Sequence, residues 1–161
     1  MKKGAAFALS LVTGVAGAAA AAGAVFRKFN QKIDWKDKRI DKFKGYFDVT
    51  NQWISLKNQG HSLEEYFTKN GYKNIAIYGM GELGNRLAEE LEGSSITAVY
   101  GIDKNAENVY SPIELKGIDD ELPPVDVIVV TPFFIYDEVE ELLMDRVDYP
   151  VVSIEDVVFT I

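Results

Sequence analysis

The feature that most constrains the fold is a glycine-rich turn between a short apolar run and a leucine repeat. Residues 75–78 (IAIY) read as a buried parallel strand. The pattern G-x-G-x-x-G follows at once, and leucines then recur every fourth residue, at 83, 87 and 91, until Gly93. This spacing is typical of a helix that packs one face on a sheet and ends at a glycine. The sequence therefore predicts a strand–turn–helix unit.

Each glycine of this turn has a mechanical task. Gly79 would make the tight turn, Gly81 would let a pyrophosphate approach the backbone, and Gly84 would let the helix meet the strand closely. Free amides at the helix start, helped by the helix dipole, would face the anion. We therefore expect a nucleotide-type ligand at Gly79, Met80, Gly81, Glu82, Leu83 and Gly84. Glu82 disfavours such a ligand, because its carboxylate would stand beside the expected phosphate.

A carboxylate follows the second predicted strand, residues 96–102. Asp103 stands nineteen residues after Gly84, where an acidic side chain accepts hydrogen bonds from a ribose. It would repel a 2′-phosphate, which favours NAD or a nucleotide-sugar over NADP, although the adjacent Lys104 weakens that preference. Thr131 ends another predicted strand, 125–131, and would reach the same crevice. Asp103, Lys104 and Thr131 complete the predicted binding residues.

Alternating strands and helices over the last 90 or so residues predict an α/β fold. Further short strands are expected at 113–115 and 150–153, a helix around Ile135–Leu143, and a closing turn or helix at 154–159. We predict a small, doubly wound, Rossmann-like parallel sheet of about five strands in the order 3-2-1-4-5. A transmembrane helix and a helical connector would precede it.

The runs IAIYGMGELGNRL, YGIDKN and VDVIVVTP carry a resemblance that covers about residues 71–161. This part resembles the C-terminal domain of sugar C-methyltransferases and the Rossmann-like domains of surface-polysaccharide biosynthesis clusters. The resemblance implies a nucleotide or sugar-nucleotide crevice lined by Gly79, Gly81, Gly84 and Asp103. The chain departs from those enzymes in having no methyltransferase half.

Charge divides the chain into a basic leader and an acidic body. Residues 1–48 hold ten basic and four acidic side chains, whereas residues 71–161 hold five and nineteen. An acidic body argues against nucleic acid as a partner, because phosphate binding needs a basic face. A basic front end fits an anionic membrane.

Residues 4–26 contain no charged side chain and are long enough to span a bilayer. Eight basic residues follow this stretch and two precede it, which predicts a single-pass span with the C-terminal domain in the cytoplasm. A signal cleaved near Ala20, with export of the body, and a helix outside any membrane are the alternatives. The predicted organisation is a transmembrane helix at 4–26, a basic juxtamembrane segment and helical connector at 27–70, and the Rossmann-like domain at 71–161.

The connector is expected to be helical over 35–58. Ile40, Phe43, Phe47 and Ile54 form its predicted apolar stripe, flanked by Tyr46 and Trp53. The stripe would dock on the following domain, a twin copy or lipid, with the domain as the default. Ser62 and Glu65 form a capping box for a second helix at 63–69. We expect His61, in the loop before it, to be solvated or to help cap the helix.

Few catalytic groups are present. The chain has no cysteine, which excludes thiol nucleophiles and cysteine-ligated zinc, and one histidine, which makes His-based metal cages and most His-assisted triads improbable. We therefore expect no catalytic and no metal-binding residues.

The predicted function is that of a membrane-anchored module that binds a nucleotide, dinucleotide or nucleotide-sugar, with an accessory role in surface-polysaccharide synthesis. Its partners would be a second copy or polysaccharide-synthesis enzymes. A scaffold with an empty crevice and a minimal NAD-dependent sugar-nucleotide-modifying enzyme are the alternatives.

Overall fold

The computed structural model describes residue 36 and residues 38–161, and the chain divides into two compact units. The first unit ends at Lys44, and its residues 38–44 are helical. The second unit is Gly45–Ile161. The predicted span at 4–26 lies outside the described residues. In the part that is described, no helix is both long and apolar enough to cross a membrane.

Strands and helices alternate in the second unit, which begins with helix α1 at residues 45–58. The elements that follow are α2 (Glu64–Lys69), β1 (Asn74–Tyr78), α3 (Glu82–Leu91), β2 (Thr97–Ile102), β3 (Leu115–Lys116), β4 (Val127–Val130), α4 (Tyr136–Met144), β5 (Val151–Ser153) and α5 (Ile154–Thr160). Single 3₁₀ turns lie at Ala106–Asn108 and Phe133–Ile135. The predicted α/β class is confirmed.

The five strands form one sheet in the order β3-β2-β1-β4-β5, and every pair is parallel. The predicted strand order is therefore confirmed, although β4 and β5 are shorter than expected and β3 lies at 115–116. In the register of the sheet, Tyr78 is beside Ile102 on β2 and Val130 on β4. The carboxyl ends of the three central strands thus form one edge. Because the order reverses between β1 and β4, this edge carries the crevice typical of a Rossmann-like sheet.

Side chains alternate between the two faces of the sheet, as the two-residue period of a strand requires. Ile75 and Ile77 of β1 pack on one face with buried residues of α1, α2, α3 and α5. Ala76 and Tyr78 pack on the other face, with Val139 and Leu143 of α4. Helices α1 and α2 therefore share a core with the sheet, and the compact unit begins at Gly45.

The expected docking of the connector's apolar stripe on the domain is wrong. The four residues of the stripe, Ile40, Phe43, Phe47 and Ile54, are all exposed. Helix α1 instead buries Val49, Leu56 and the flanking Trp53 in the core. The physical reason is a polar partner on α3: the Trp53 indole N–H donates to the carboxylate of Glu90, which fixes the rotation of α1 about its axis.

The capping box before α2 is present. Ser62 Oγ accepts the Glu64 N–H at 3.1 Å, and the Glu65 carboxylate accepts the Ser62 N–H at 3.2 Å. Glu65 also lies 3.0 Å from Nδ1 of His61, and these hydrogen bonds lower the pKa of the Glu65 carboxyl, the one with His61 contributing most. The connector helix ends before Gly60, which has a φ of 85°.

Candidate functional site

The glycine turn connects β1 to α3 at the carboxyl edge of the sheet. Gly79 has a φ of 87°, and its N–H donates to the carbonyl of Ile102 at 2.8 Å. A β-carbon on Gly79 would lie 2.6 Å from Cδ of Pro132, and one on Gly84 would lie 2.3 Å from the carbonyl oxygen of Gly79. The fold itself therefore requires glycine at positions 79 and 84.

Gly81 stands in a different environment. A β-carbon at this position would meet no atom of the described residues within 4 Å, and the φ of −79° is open to any residue. Gly81 is exposed and is the N-cap of α3, where it provides no side-chain acceptor for the first turn. The steric requirements of the fold therefore do not account for this glycine, and the helix start beside it is accessible from solvent.

Asp103 lies against the turn. Its Oδ2 accepts the Met80 N–H at 3.0 Å, and its Oδ1 accepts the Asn105 N–H at 2.8 Å. Each carboxylate oxygen can accept a second hydrogen bond, so these contacts leave acceptor capacity for a ligand. The structure therefore brings the predicted acid and the glycine turn together through a direct hydrogen bond.

The other predicted binding residues differ in what they can offer. Met80 and Leu83 are buried in the core, so they would meet a ligand only through their backbone. The Met80 N–H is already taken by Asp103. Glu82 and Lys104 are exposed, Glu82 in the first turn of α3 and Lys104 after β2.

Thr131 is 3% exposed and braces the turn from β4. Its hydroxyl donates to the carbonyl of Gly79 at 2.5 Å, and its N–H donates to the carbonyl of Tyr78 at 3.0 Å. Its hydroxyl hydrogen is thus committed to the backbone. Thr131 therefore holds the backbone of the turn, and its contact with a ligand stays a prediction.

On the β4 side of the turn, the loop after β4 packs against the turn and against α1. Pro132 lies against Gly79, and the ring of Phe133 lies so close to Gly45 of α1 that a β-carbon there would be 2.8 Å away. Tyr46 packs on Phe133 and Phe134 with ring centroids 5.2 and 5.8 Å apart. Helix α1 therefore closes the crevice next to β4.

An open cleft lies on the β2 side. Its volume is about 640 Å³, and its lining begins at Lys104, next to Asp103. The other lining residues are Asn105, Ala106, Glu107, Asn108, Leu115, Gly117 and Asp120. Asp120 Oδ2 accepts the Gly117 N–H at 2.6 Å, which fixes the loop that forms one wall. The cleft therefore offers space beside Lys104, and neither Asp103 nor the glycine turn belongs to its lining.

Sequence reasoning missed two polar groups that flank the turn. The Tyr78 hydroxyl and Asn85 Oδ1 are buried, and neither has a hydrogen-bond partner among the described residues. Asn85 Nδ2 donates to the carbonyls of Met80 and Tyr110, both at 3.3 Å, which fixes the orientation of the amide. Burial, and then the charge of Asp103, raise the pKa of the Tyr78 hydroxyl, so it stays protonated near neutral pH. Their positions, just before the first glycine and just after the third, were the available sequence signal.

Within the described residues, no group of three or more His, Asp or Glu side chains could hold a metal ion. The groups that the turn presents are backbone amides at a helix start, the carboxylate of Asp103 and the nearby Lys104. These groups fit the phosphate and ribose of a nucleotide.

The topology and the turn together define a Rossmann-like α/β fold. The chain matches no protein-family profile, no curated protein and no solved structure. The resemblance to sugar C-methyltransferases and polysaccharide-cluster domains therefore has no support from these comparisons.

Proposed function

We propose that this protein is a membrane-anchored module whose Rossmann-like domain binds the nucleoside-phosphate portion that NAD and nucleotide-sugars share. The phosphate would meet the amides at the start of α3, and Asp103 would accept a hydrogen bond from the ribose. The nucleoside would extend toward the cleft beside Lys104.

The observation that carries this proposal is Gly81. Packing explains why positions 79 and 84 are glycine. It does not explain Gly81, because a β-carbon there would have no described atom within 4 Å. A glycine at that place keeps the surface of the helix start free of side-chain atoms, as close approach of a phosphate requires. Two neighbouring buried polar groups without partners among the described residues, on Tyr78 and Asn85, are a further sign of a site that is not purely structural.

The test is a thermal-shift titration of the full chain in a mild detergent with NAD, UDP-glucose and NADP. A ligand at a hundred times its Kd should stabilise the protein by about 2.7 kcal/mol, which raises Tm measurably. We expect NADP to bind more weakly than NAD, because Asp103 repels the 2′-phosphate. Gly81→Asp should abolish the shift while Tm without ligand stays close to that of the wild type, since the new side chain has open space.

Asn51→Asp is the matched control, because it adds the same charge at an exposed position of α1. It should leave the shift intact. A shift that survives Gly81→Asp would place the ligand elsewhere. No shift with any of the three nucleotides at millimolar concentration would contradict the proposal.

A scaffold with an empty crevice is the second candidate, and two observations favour it. Glu82 puts a negative charge in the first turn of α3, and both oxygens of Asp103 already accept backbone N–H groups. The same titration separates the two candidates, because a scaffold gives no nucleotide-dependent shift. A minimal NAD-dependent sugar-nucleotide-modifying enzyme is the third candidate, and the sequence disfavours it because, with no cysteine and one histidine, few catalytic groups are present.

Anchoring rests on the sequence of residues 4–26 and the basic residues after it. We propose a single span with the C-terminal domain in the cytoplasm, and a role beside polysaccharide-synthesis enzymes that rests on the resemblance alone. Alkaline carbonate extraction of membranes should leave the full chain in the pellet. Release into the supernatant would contradict the anchor and favour the cleaved-signal alternative.

A further inference from the structure

An exposed amphipathic surface lies in the segment 36–44 of the first compact unit, whose described residues, 36 and 38–44, are here called the basic helix. The described residues of this segment are all exposed, and Ile40 and Phe43 are each 62% exposed. The segment contains five basic and two acidic residues. Large apolar side chains in water are unfavourable, and here they stand within a strongly cationic segment.

Helical spacing arranges these side chains by face. Ile40 and Phe43 are three residues apart and share one side of the helix. Lys36 and Lys44 each lie four residues from Ile40, so they stand above and below the apolar pair. Lys38 projects from the opposite side, because each residue turns the helix by about 100°. An apolar strip bordered by lysines is typical of a helix that lies in the interface of a bilayer.

We propose that the basic helix lies on the surface of an anionic bilayer, with Ile40 and Phe43 in the lipid and the flanking lysines at the headgroups. The charge of the segment complements an anionic surface. Nine residues, 27–35, separate the end of the uncharged stretch at Phe26 from Lys36, and the ten steps between the two residues span about 35 Å at most when fully extended. If residues 4–26 enter a membrane, the basic helix cannot move far from its surface.

A second copy of the chain is a weaker occupant for this surface, because two such cationic segments would repel each other. This inference extends the proposed anchor, but it concerns a different segment. It would hold even if residues 4–26 did not span the bilayer.

The absence of native cysteine allows a direct test on the full chain. Phe43→Cys and the matched control Lys38→Cys are each labelled with an environment-sensitive fluorophore. The labelled proteins are added to vesicles of phosphatidylcholine alone or mixed with phosphatidylglycerol. With phosphatidylglycerol, the label at 43 should shift to the blue and lose its quenching by iodide, whereas the label at 38 should stay quenched. High salt, or Lys36→Gln with Lys44→Gln, should reduce the effect at 43.

Equal iodide quenching at 43 and 38 on the mixed vesicles would overturn the proposal. So would protection of the label at 43 without vesicles that grows with protein concentration, which would indicate a second copy. Carbonate extraction of the same vesicles tests the anchor separately. Protein that is released by carbonate but still shows a protected label at 43 in low salt would refute the anchor and support the surface-bound helix.

Discussion

The three glycines of the turn differ in what the surrounding atoms demand of them. Gly79 needs its left-handed backbone, and Gly84 needs contact with the carbonyl of Gly79. Sequence reasoning predicted both roles, because they follow from the spacing between a strand and a helix. The open space at Gly81 depends on where the rest of the chain runs, so it became visible only in the structure. The same holds for the Tyr78 hydroxyl, which has no hydrogen-bond partner among the described residues, because side-chain hydrogen bonds leave no periodic pattern in a sequence.

Glu82 offers a test of where a phosphate would lie. Its carboxylate stands in the first turn of α3, so Glu82→Gln removes a charge that would repel the ligand. We expect nucleotide affinity to rise roughly two- to five-fold in a calorimetric titration, as expected for a charge beside a helix start. The free energy of unfolding of the ligand-free protein should fall slightly, because the Glu82 carboxylate interacts favourably with the dipole at the start of α3.

Glu92→Gln is the control for this change, since Glu92 is exposed at the other end of α3. It should leave nucleotide affinity unchanged. An unaltered affinity in Glu82→Gln, in a protein that does bind nucleotide, would show that the phosphate lies away from this turn.

At the scale of elements, one carboxylate joins three helices. Glu90 of α3 accepts the Trp53 indole N–H from α1 and the Leu63 N–H at the start of α2, and it lies 3.0 Å from Lys57 Nζ. Its side chain is nearly buried. This contact explains why the face of α1 could not be predicted from periodicity: the apolar residues on either face had suitable spacing, and a residue 37 positions away selected between them.

Glu90→Gln should destabilise the domain by about 1–3 kcal/mol, because the amide cannot serve the same two N–H donors and the ammonium group. Urea unfolding followed by the combined fluorescence of Trp35 and Trp53 measures this loss. Glu89→Gln is the matched neighbour, exposed and paired with the exposed Arg86, and should change stability by no more than about 0.5 kcal/mol. Equal effects in the two variants would mean that Glu90 does not join the helices.

Asp126 joins the starts of β1 and β4. Its Oδ2 accepts the N–H groups of Lys73 and Asn74 at 2.7 and 2.8 Å, and these bonds lower the pKa of the carboxyl. A lowered pKa in the folded state gives stability that is complete above the unfolded pKa of about 4 and is lost as the pH falls through the folded value.

The stability advantage of the wild type over Asp126→Asn should therefore be constant near neutral pH and shrink below about pH 4. Urea unfolding of both proteins at a series of pH values measures it. Asp145→Asn, at an exposed carboxyl in the loop after α4, serves as the control. An advantage that stayed constant down to pH 2 would contradict the role given to Asp126.

At the scale of the whole molecule, the fold class and strand order were predictable because each strand was a compact apolar run and each turn carried its own signal. Strand β3 is the exception: it was predicted at 113–115 and lies at Leu115–Lys116, because a strand of two residues has no periodicity to read. The extent of the core was harder to predict, since α1 and α2 carry both exposed and buried apolar residues. Within the candidate site, the sequence indicated the glycine turn and Asp103, but it gave no sign of the cleft beside Lys104.

The central claim is that a nucleotide phosphate meets the amides of the glycine turn. The most direct measurement is an NMR titration of the ¹⁵N-labelled full chain in detergent micelles with NAD and UDP-glucose, following the backbone amide signals. We predict saturable shifts concentrated at Gly81–Gly84, and at residues 103–108 beside the cleft. Amide signals at Gly81–Gly84 that stay fixed at millimolar nucleotide, or shifts confined to another surface, would contradict the account.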